Sequence, residues 1–132
     1  MRKSLAAILF AIILLGSIRT SAQVQGGTFF VDKSTSGFTL DQNDGKREVM
    51  VDVHFKKPFD AKPTVLTSIT LIDMNGEKFD IPGNSRTTIE TLDQKISAVA
   101  AGVSRDGFVL KISVWGNTKI NALGGTWIAF SE

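Results

Sequence analysis

The feature that most constrains how this chain folds is a series of short stretches in which every second residue is apolar. These stretches recur from position 51 to position 130 and are separated by turn-forming residues. The clearest of them places four apolar side chains on one face: Val49, Val51, Val53 and Phe55. A period of two is typical of a strand with one buried face, so the pattern predicts β-structure.

Six stretches of this kind are predicted as strands. They cover residues 24–31, 49–55, 64–73, 96–103, 108–115 and 123–131. The third would place four side chains on one face: Val65, Thr67, Ile69 and Leu71. Asp106-Gly107 separates the fourth from the fifth and favours a hairpin, because glycine accepts a positive φ. Short strands joined by turns, without helical periodicity beyond residue 22, predict an all-β fold, a six-stranded antiparallel β-sandwich spanning residues 23–132.

The first 22 residues have the layout of a secretory signal peptide. Arg2 and Lys3 precede an apolar run of about a dozen residues, and small residues follow up to Ala22. The apolar run is short for a membrane span, which needs about 20 residues. We therefore predict cleavage near Ala22, a secreted protein and no membrane span in the mature chain. An uncleaved N-terminal anchor is the alternative.

Charge and cysteine content exclude several classes of function. The chain has 15 basic and 13 acidic residues, but three of the basic residues and none of the acidic ones lie in the predicted signal peptide. The remaining domain is close to neutral, which gives no support to nucleic-acid binding. The absence of cysteine excludes disulfides, thiol catalysis and cysteine-bound metals.

The two tryptophans have different predicted roles. Trp115 lies at the end of the fifth predicted strand, beside a polar turn. An aromatic ring in that position suits the apolar C–H face of a sugar, and contact with another protomer or core packing are the alternatives. Trp127 lies between Thr126 and Ile128 within the last predicted strand, and we expect it in the core or in an interface.

A set of short motifs, in order and with mostly matching spacing, resembles the H-type lectin domain of snail agglutinins and of the C-terminal part of discoidins. The motifs are Val24-Gln25-x-Gly27, Phe55-x-x-Pro58-Phe59 with Pro63, Ser68-Ile69-Thr70 leading to Asp73, Val103-Ser104-x-x-Gly107-Phe108, Trp115-x-Asn117-Thr118-Lys119 and Trp127-Ile128. The resemblance covers nearly the whole predicted mature chain, from residue 24 to residue 130.

This resemblance implies a six-stranded sandwich that assembles as a homotrimer and binds galactose or N-acetylgalactosamine at sites shared between neighbouring protomers. By spacing, the aspartate that accepts hydrogen bonds from sugar hydroxyls in the family corresponds to Asp44, and the family's arginine corresponds to Lys95. The family's tryptophan is Trp115, and Gly116 follows it where some members have histidine. These four residues form the predicted carbohydrate-binding site.

The residues also leave simpler roles open. Asp44 could cap the turn that it forms with Gly45, and Lys95 could be a solvated charge at a strand edge. The long polar segment 74–94 could extend over the site or block it. The alternative function is therefore an exported structural or cell-adhesion module of the same fold that binds protein and has lost sugar binding.

No catalytic or metal-binding arrangement is predicted. His54 is the single histidine, and by alternation it faces away from the core. The segment 41–45 superficially resembles a calcium loop, but Gly45 occupies a ligand position and the distal glutamate is missing. No acid and base pair of carboxylates is identifiable. We therefore expect a non-enzymatic protein without a cofactor.

Overall fold

The computed structural model describes residues 22–74 and 94–132. It contains six strands: β1 (Gln23–Asp32), β2 (Arg47–His54), β3 (Thr64–Met74), β4 (Ile96–Ala101), β5 (Gly107–Val114) and β6 (Ile120–Ser131). Each predicted strand is present, with bounds shifted by a few residues. The predicted signal peptide, apart from its last residue, and nearly all of segment 74–94 lie outside the described residues.

The strands form two antiparallel sheets of three strands each. One sheet has the order β1-β6-β3, and the other has the order β2-β5-β4. The predicted all-β, six-stranded antiparallel sandwich is therefore confirmed. Within the two ranges that the structure covers, no helix is both long and apolar enough to cross a membrane.

The core lies between the sheets and follows the predicted alternation. Four consecutive inward positions of β5 are at most 4% exposed: Phe108, Leu110, Ile112 and Val114. Residues from the connections complete this core, among them Leu40 and Phe59, which are fully buried. A period-two pattern places these side chains on one face, so each strand contributes an apolar surface to the same interior.

The prediction for Leu71 is wrong, because this side chain is 48% exposed. A register shift lies between Ile69, which pairs with Gly125, and Leu71, which pairs with Gly124. The bulge inserts Thr70 as an extra residue and reverses the alternation beyond it. A side chain at position 125 would overlap the carbonyl oxygen of Ser68, so glycine there allows β3 to approach closely just before the bulge.

The outer faces of the two sheets differ in character. The outer face of sheet β1-β6-β3 exposes large apolar side chains, and we call it the apolar face: Val24, Phe30, Leu66, Leu71, Ile128 and Phe130. The outer face of sheet β2-β5-β4 carries mainly polar and charged side chains and is called the charged face: Glu48, Asp52, His54, Lys111 and Ser113. The exposed position of His54 agrees with the prediction from alternation.

The connections cluster at the two ends of the sandwich. Strands β1, β3 and β5 end where β2, β4 and β6 begin, so residues 33–46, 94–95 and 115–119 all belong to one end. The connections 55–63 and 102–106 belong to the other end. All four predicted site residues therefore lie at the first end, although they come from three separate parts of the chain.

Candidate functional site

Backbone hydrogen bonds bring the predicted site residues together within one protomer. The Gly45 N–H donates to the Gly116 carbonyl oxygen at 3.0 Å, and the Trp115 N–H donates to the Lys95 carbonyl oxygen at 3.2 Å. Asp44 lies immediately before Gly45, so the acidic loop, the strand entry at residue 95 and the tryptophan turn are direct neighbours. The predicted residues thus form one cluster at the end of the sandwich.

The tryptophan turn follows β5 directly. Trp115 is half-buried, and its carbonyl oxygen accepts the N–H of Thr118 at 3.3 Å, which closes the turn. Gly116 has φ +62°, a conformation that strains other residues, and among the described residues other than its two chain neighbours no atom lies within 4 Å of the position that a Cβ would occupy. The exposed surface at Gly116 therefore has room for a ligand.

The acidic loop holds Asp44 at the surface. Asn43 and Gly45 flank it with φ values of 50° and 86°. Asp44 is exposed, and its carboxylate accepts no hydrogen bond from any residue in the described part of the chain. The structure therefore gives no support to a turn-capping role for Asp44, and its carboxylate oxygens are available to a ligand.

Asp32, the last residue of β1, is an example of a capping carboxylate in this protein. Its Oδ1 accepts the Ser34 N–H at 2.9 Å and the Ser34 hydroxyl at 2.6 Å. These hydrogen bonds lower the pKa of Asp32, with the Ser34 hydroxyl contributing most. The Asp32 carboxylate caps the turn that follows it, whereas Asp44 makes no comparable contact with the described residues.

Lys95 lies just before β4, and both its backbone carbonyl and its backbone N–H are hydrogen-bonded. Besides accepting the Trp115 N–H, it donates its own N–H to the Thr118 hydroxyl at 3.0 Å. Thr118 is fully buried, while Lys95 is exposed at the surface. An ammonium group carried on this segment can reach the surface next to the tryptophan turn as a charged hydrogen-bond donor.

Arg47 connects the loop and the turn, and the sequence predictions do not include it. Its guanidinium donates to the carbonyl oxygens of Gly45, Gly116 and Thr118, with a distance of 2.7 Å to Gly116. Only 6% of the residue is exposed. Its sequence position does carry a signal, because Arg47 precedes Val49 and Val51 in the inward phase of β2, where a charged residue needs buried partners.

Glu48 lies beside Arg47 but belongs to the charged face. Its Oε1 lies 2.8 Å from Lys46 Nζ and 3.0 Å from Lys111 Nζ, and it accepts the Ser113 hydroxyl at 3.0 Å. Hydrogen bonds from the two lysines, with Lys46 contributing most, lower the pKa of Glu48 to about 2. The Glu48 carboxylate is already paired with two lysines. We therefore assign Asp44 to the candidate site as its hydrogen-bond acceptor.

Trp127 lies away from the candidate site. Its ring centroid is 5.7 Å from that of Phe55 and 5.5 Å from that of Phe108, and it packs against the core. A side chain at Gly27 would overlap the indole, so glycine is required at that strand position. This placement agrees with the expected core role of Trp127.

The chemistry available at the site is that of hydrogen bonding and stacking. An ionised carboxylate accepts hydrogen bonds from hydroxyl groups, an ammonium group donates them, and an indole offers a flat apolar surface with one N–H donor. Across the residues that the structure covers, no group of three or more His, Asp or Glu side chains is arranged to hold a metal ion. The arrangement suits a small polyhydroxylated ligand.

Comparisons with known proteins agree with this fold. Discoidin II of Dictyostelium discoideum is similar in structure to 85% of this chain, both as the recombinant protein (TM-score 0.64) and as the wild-type protein (TM-score 0.63), with 19% sequence identity in each case. The matched part is 38% and 37% of those chains, so this chain spans well under half the length of discoidin II.

A protein of Fuscovulum blasticum designated "ATP synthase subunits region ORF 7" is 28% identical over 108 residues, which is 82% of each chain, and its designation states no activity. The family model described as the H-type lectin domain matches residues 50–130, and the chain therefore belongs to the H-type lectin domain family.

Proposed function

We propose that this protein is a secreted lectin that binds galactose- or N-acetylgalactosamine-type glycans through shallow sites that contain no metal and perform no reaction. The family and the fold support a carbohydrate-binding module. The observation that carries the proposal is the clustering of Asp44, Lys95 and Trp115 by the Gly45–Gly116 and Trp115–Lys95 backbone hydrogen bonds. Three groups with complementary roles towards a sugar thus meet at one end of the domain.

Each residue has a distinct role in the proposed complex. Asp44 accepts hydrogen bonds from two adjacent sugar hydroxyls, because an ionised carboxylate has two acceptor oxygens. Trp115 packs against the apolar C–H face of the ring, and Lys95 donates to a further sugar oxygen. Gly116 leaves room for the sugar next to Trp115, since among the described residues other than its chain neighbours no atom lies within 4 Å of its missing Cβ position.

The proposed assembly is a homotrimer with sites at the protomer interfaces. The apolar face supports it, because Val24, Leu66 and Ile128 are 61%, 55% and 44% exposed on neighbouring strands of one sheet. Burying a large apolar side chain stabilises an assembly by roughly 1.5–3 kcal/mol, so an exposed cluster of them is typical of an interaction surface. Several weak sites on one trimer would raise the apparent affinity for a multivalent glycan surface by about 10²–10⁴-fold.

Secretion forms a separate part of the proposal. It rests on the basic start, the apolar run and the small residues before position 23. Expression of the full chain followed by N-terminal sequencing of the exported protein tests this. A mature chain that begins at or near Gln23 supports export with cleavage, and a retained Met1 contradicts it.

The test of sugar binding is a titration of the purified protein with galactose and N-acetylgalactosamine, together with a glycan array. Asp44→Ala and Trp115→Ala are expected to abolish measurable binding, because each removes a contact that the others cannot replace. Asp106→Ala is the matched control, since Asp106 is also an exposed aspartate that directly precedes a glycine but lies at the opposite end of the sandwich. A wild-type protein that binds no galactose-type glycan contradicts the proposed specificity.

A protein-binding adhesion module is the second candidate, and the apolar face is the observation that favours it. The two functions differ in their dependence on the acidic loop and the tryptophan turn. Cell-surface binding that survives both Asp44→Ala and Trp115→Ala supports the adhesion module. Loss of that binding in both variants, at an unchanged melting temperature, supports the lectin.

A further inference from the structure

We propose that Arg47 is the positioning residue of the candidate site, so that Asp44, Lys95 and Trp115 form one unit held by a single buried guanidinium. This inference rests on the proposed function, because the positioned residues are those that we propose to bind sugar. The positioning itself can be tested without a sugar. Arg47 itself contacts no ligand in this proposal. It acts through the backbone of the segments that carry the binding side chains.

The acidic loop and the tryptophan turn are built in the same way. In each, a binding residue precedes a glycine with positive φ, namely Asp44 before Gly45 and Trp115 before Gly116. The carbonyl oxygens of both glycines accept hydrogen bonds from Arg47 Nη1. Because each of these glycines directly follows a binding residue, holding the two oxygens on one nitrogen restrains the spacing between the backbone segments that carry the carboxylate and the indole.

Lys95 joins the same unit through Thr118. The Thr118 carbonyl oxygen accepts from Arg47 Nη2, and the Thr118 hydroxyl accepts the backbone N–H of Lys95 at 3.0 Å. Thr118 is fully buried, so neither bond competes with solvent. A path of hydrogen bonds therefore connects the guanidinium to each of the three proposed binding residues.

Arginine is suited to this role, and lysine is not. The guanidinium is a rigid planar fork that presents donors in several directions, whereas an ammonium group is a compact charge on a flexible stem. Three carbonyl acceptors on two separate segments require that fork. Replacing Arg47 deprives the carbonyl oxygen of the buried Thr118 of its guanidinium donor, whereas the Gly116 oxygen keeps the Gly45 N–H as a donor.

The first experiment measures amide hydrogen exchange in the ¹⁵N-labelled protein without sugar, comparing the wild type with Arg47→Lys. The Gly45 and Trp115 amides, which bond across the site, are expected to exchange at least about tenfold faster, because charge-assisted hydrogen bonds that align their acceptors are lost. The Val51 amide in the middle of β2 is expected to keep its rate. Unchanged rates at Gly45 and Trp115 overturn the inference.

Arg105→Lys is the matched control. Arg105 also donates to a backbone carbonyl, from its Nε to Phe59 at 2.7 Å, but it lies at the far end of the sandwich and is exposed. This variant is expected to leave the exchange of Gly45 and Trp115 unchanged. Equal acceleration in both arginine variants would mean a general loss of stability and would overturn a specific role for Arg47.

The second experiment adds galactose. In Arg47→Lys the dissociation constant is expected to rise at least about tenfold, because the segments that carry Asp44, Lys95 and Trp115 lose the donor that holds them together. A dissociation constant within about twofold of the wild-type value overturns the inference. If the wild type binds no sugar while exchange at Gly45 and Trp115 responds to Arg47→Lys, the proposed function fails and the positioning role of Arg47 stands.

Discussion

The two sheets of this sandwich bury similar inner faces but present opposite outer faces. The apolar face exposes six large apolar side chains across β1, β6 and β3, whereas the charged face ties Glu48 to Lys46, Lys111 and Ser113. Monomeric soluble proteins rarely expose large contiguous apolar surface, so the apolar face is the candidate contact surface for the proposed assembly.

Disruption of the apolar face is expected to have the largest effect. Ile128→Glu places a charge at the centre of the proposed interface, where desolvation of a carboxylate is costly, and is expected to convert the proposed trimer to a monomer. Size-exclusion chromatography with light scattering measures the change. Val99→Glu is the control, because Val99 is 46% exposed on the outer side of the other sheet, and its substitution is expected to leave the assembly intact. A trimer that survives Ile128→Glu rules out the apolar face as the interface.

Acid is expected to act on the charged face with an intermediate effect. The pKa of Glu48 is lowered from 4.5 to about 2, so the folded state favours the ionised carboxylate. Its contribution to stability is complete above the unfolded pKa and is lost as the pH falls from about 4.5 through about 2. Urea unfolding midpoints measured across this range are expected to fall.

Glu48→Gln provides the reference for the acid experiment. It has no titrating carboxylate at this position, so the part of the decline that belongs to Glu48 is expected to disappear in the variant. The remaining decline reports other carboxylates, including Asp32, whose pKa is also lowered. Identical pH profiles for Glu48→Gln and the wild type would show that the lysine pairs do not stabilise the fold.

Removal of one lysine from the charged face is expected to have the smallest effect. The Lys46 side chain is 54% exposed and that of Lys111 is 30% exposed, so solvent screens the Lys46 pair more strongly. We expect Lys46→Gln to change the melting temperature by less than Lys111→Gln, with both shifts within about 2 °C. Calorimetry in low and high salt compares them, and a larger shift for Lys46→Gln would contradict this ranking.

The inner faces of the sheets could be predicted from the sequence, because a period-two pattern is a local property of each strand. Alternation correctly placed the buried residues of β2 and β5, such as Val49, Leu110 and Ile112. It failed at Leu71, because the bulge depends on how β3 pairs with Gly124 and Gly125 of a strand more than 50 residues away. The register of a strand with a distant partner cannot be inferred from the local alternation of apolar residues.

The candidate site could be predicted only in part from the sequence. Family resemblance pointed to Asp44, Lys95, Trp115 and Gly116, and the structure places these residues at one end of one protomer. Arg47 was not predicted, although a charged residue in the inward phase of a strand is a usable signal. Its three acceptors could not be identified from the sequence, because two of them lie 69 and 71 positions further along the chain.

The sequence by itself determined the fold class, the approximate strands, the inward faces and the family, since all of these follow from patterns within short segments. Only the tertiary structure decided which outer face is apolar, where the alternation of β3 reverses, and how the acidic loop meets the tryptophan turn. The physical reason is the range of the interactions. Burial patterns repeat every two residues, whereas the hydrogen bonds that assemble the site join backbone groups that become neighbours only after β2, β5 and β4 have paired in one sheet.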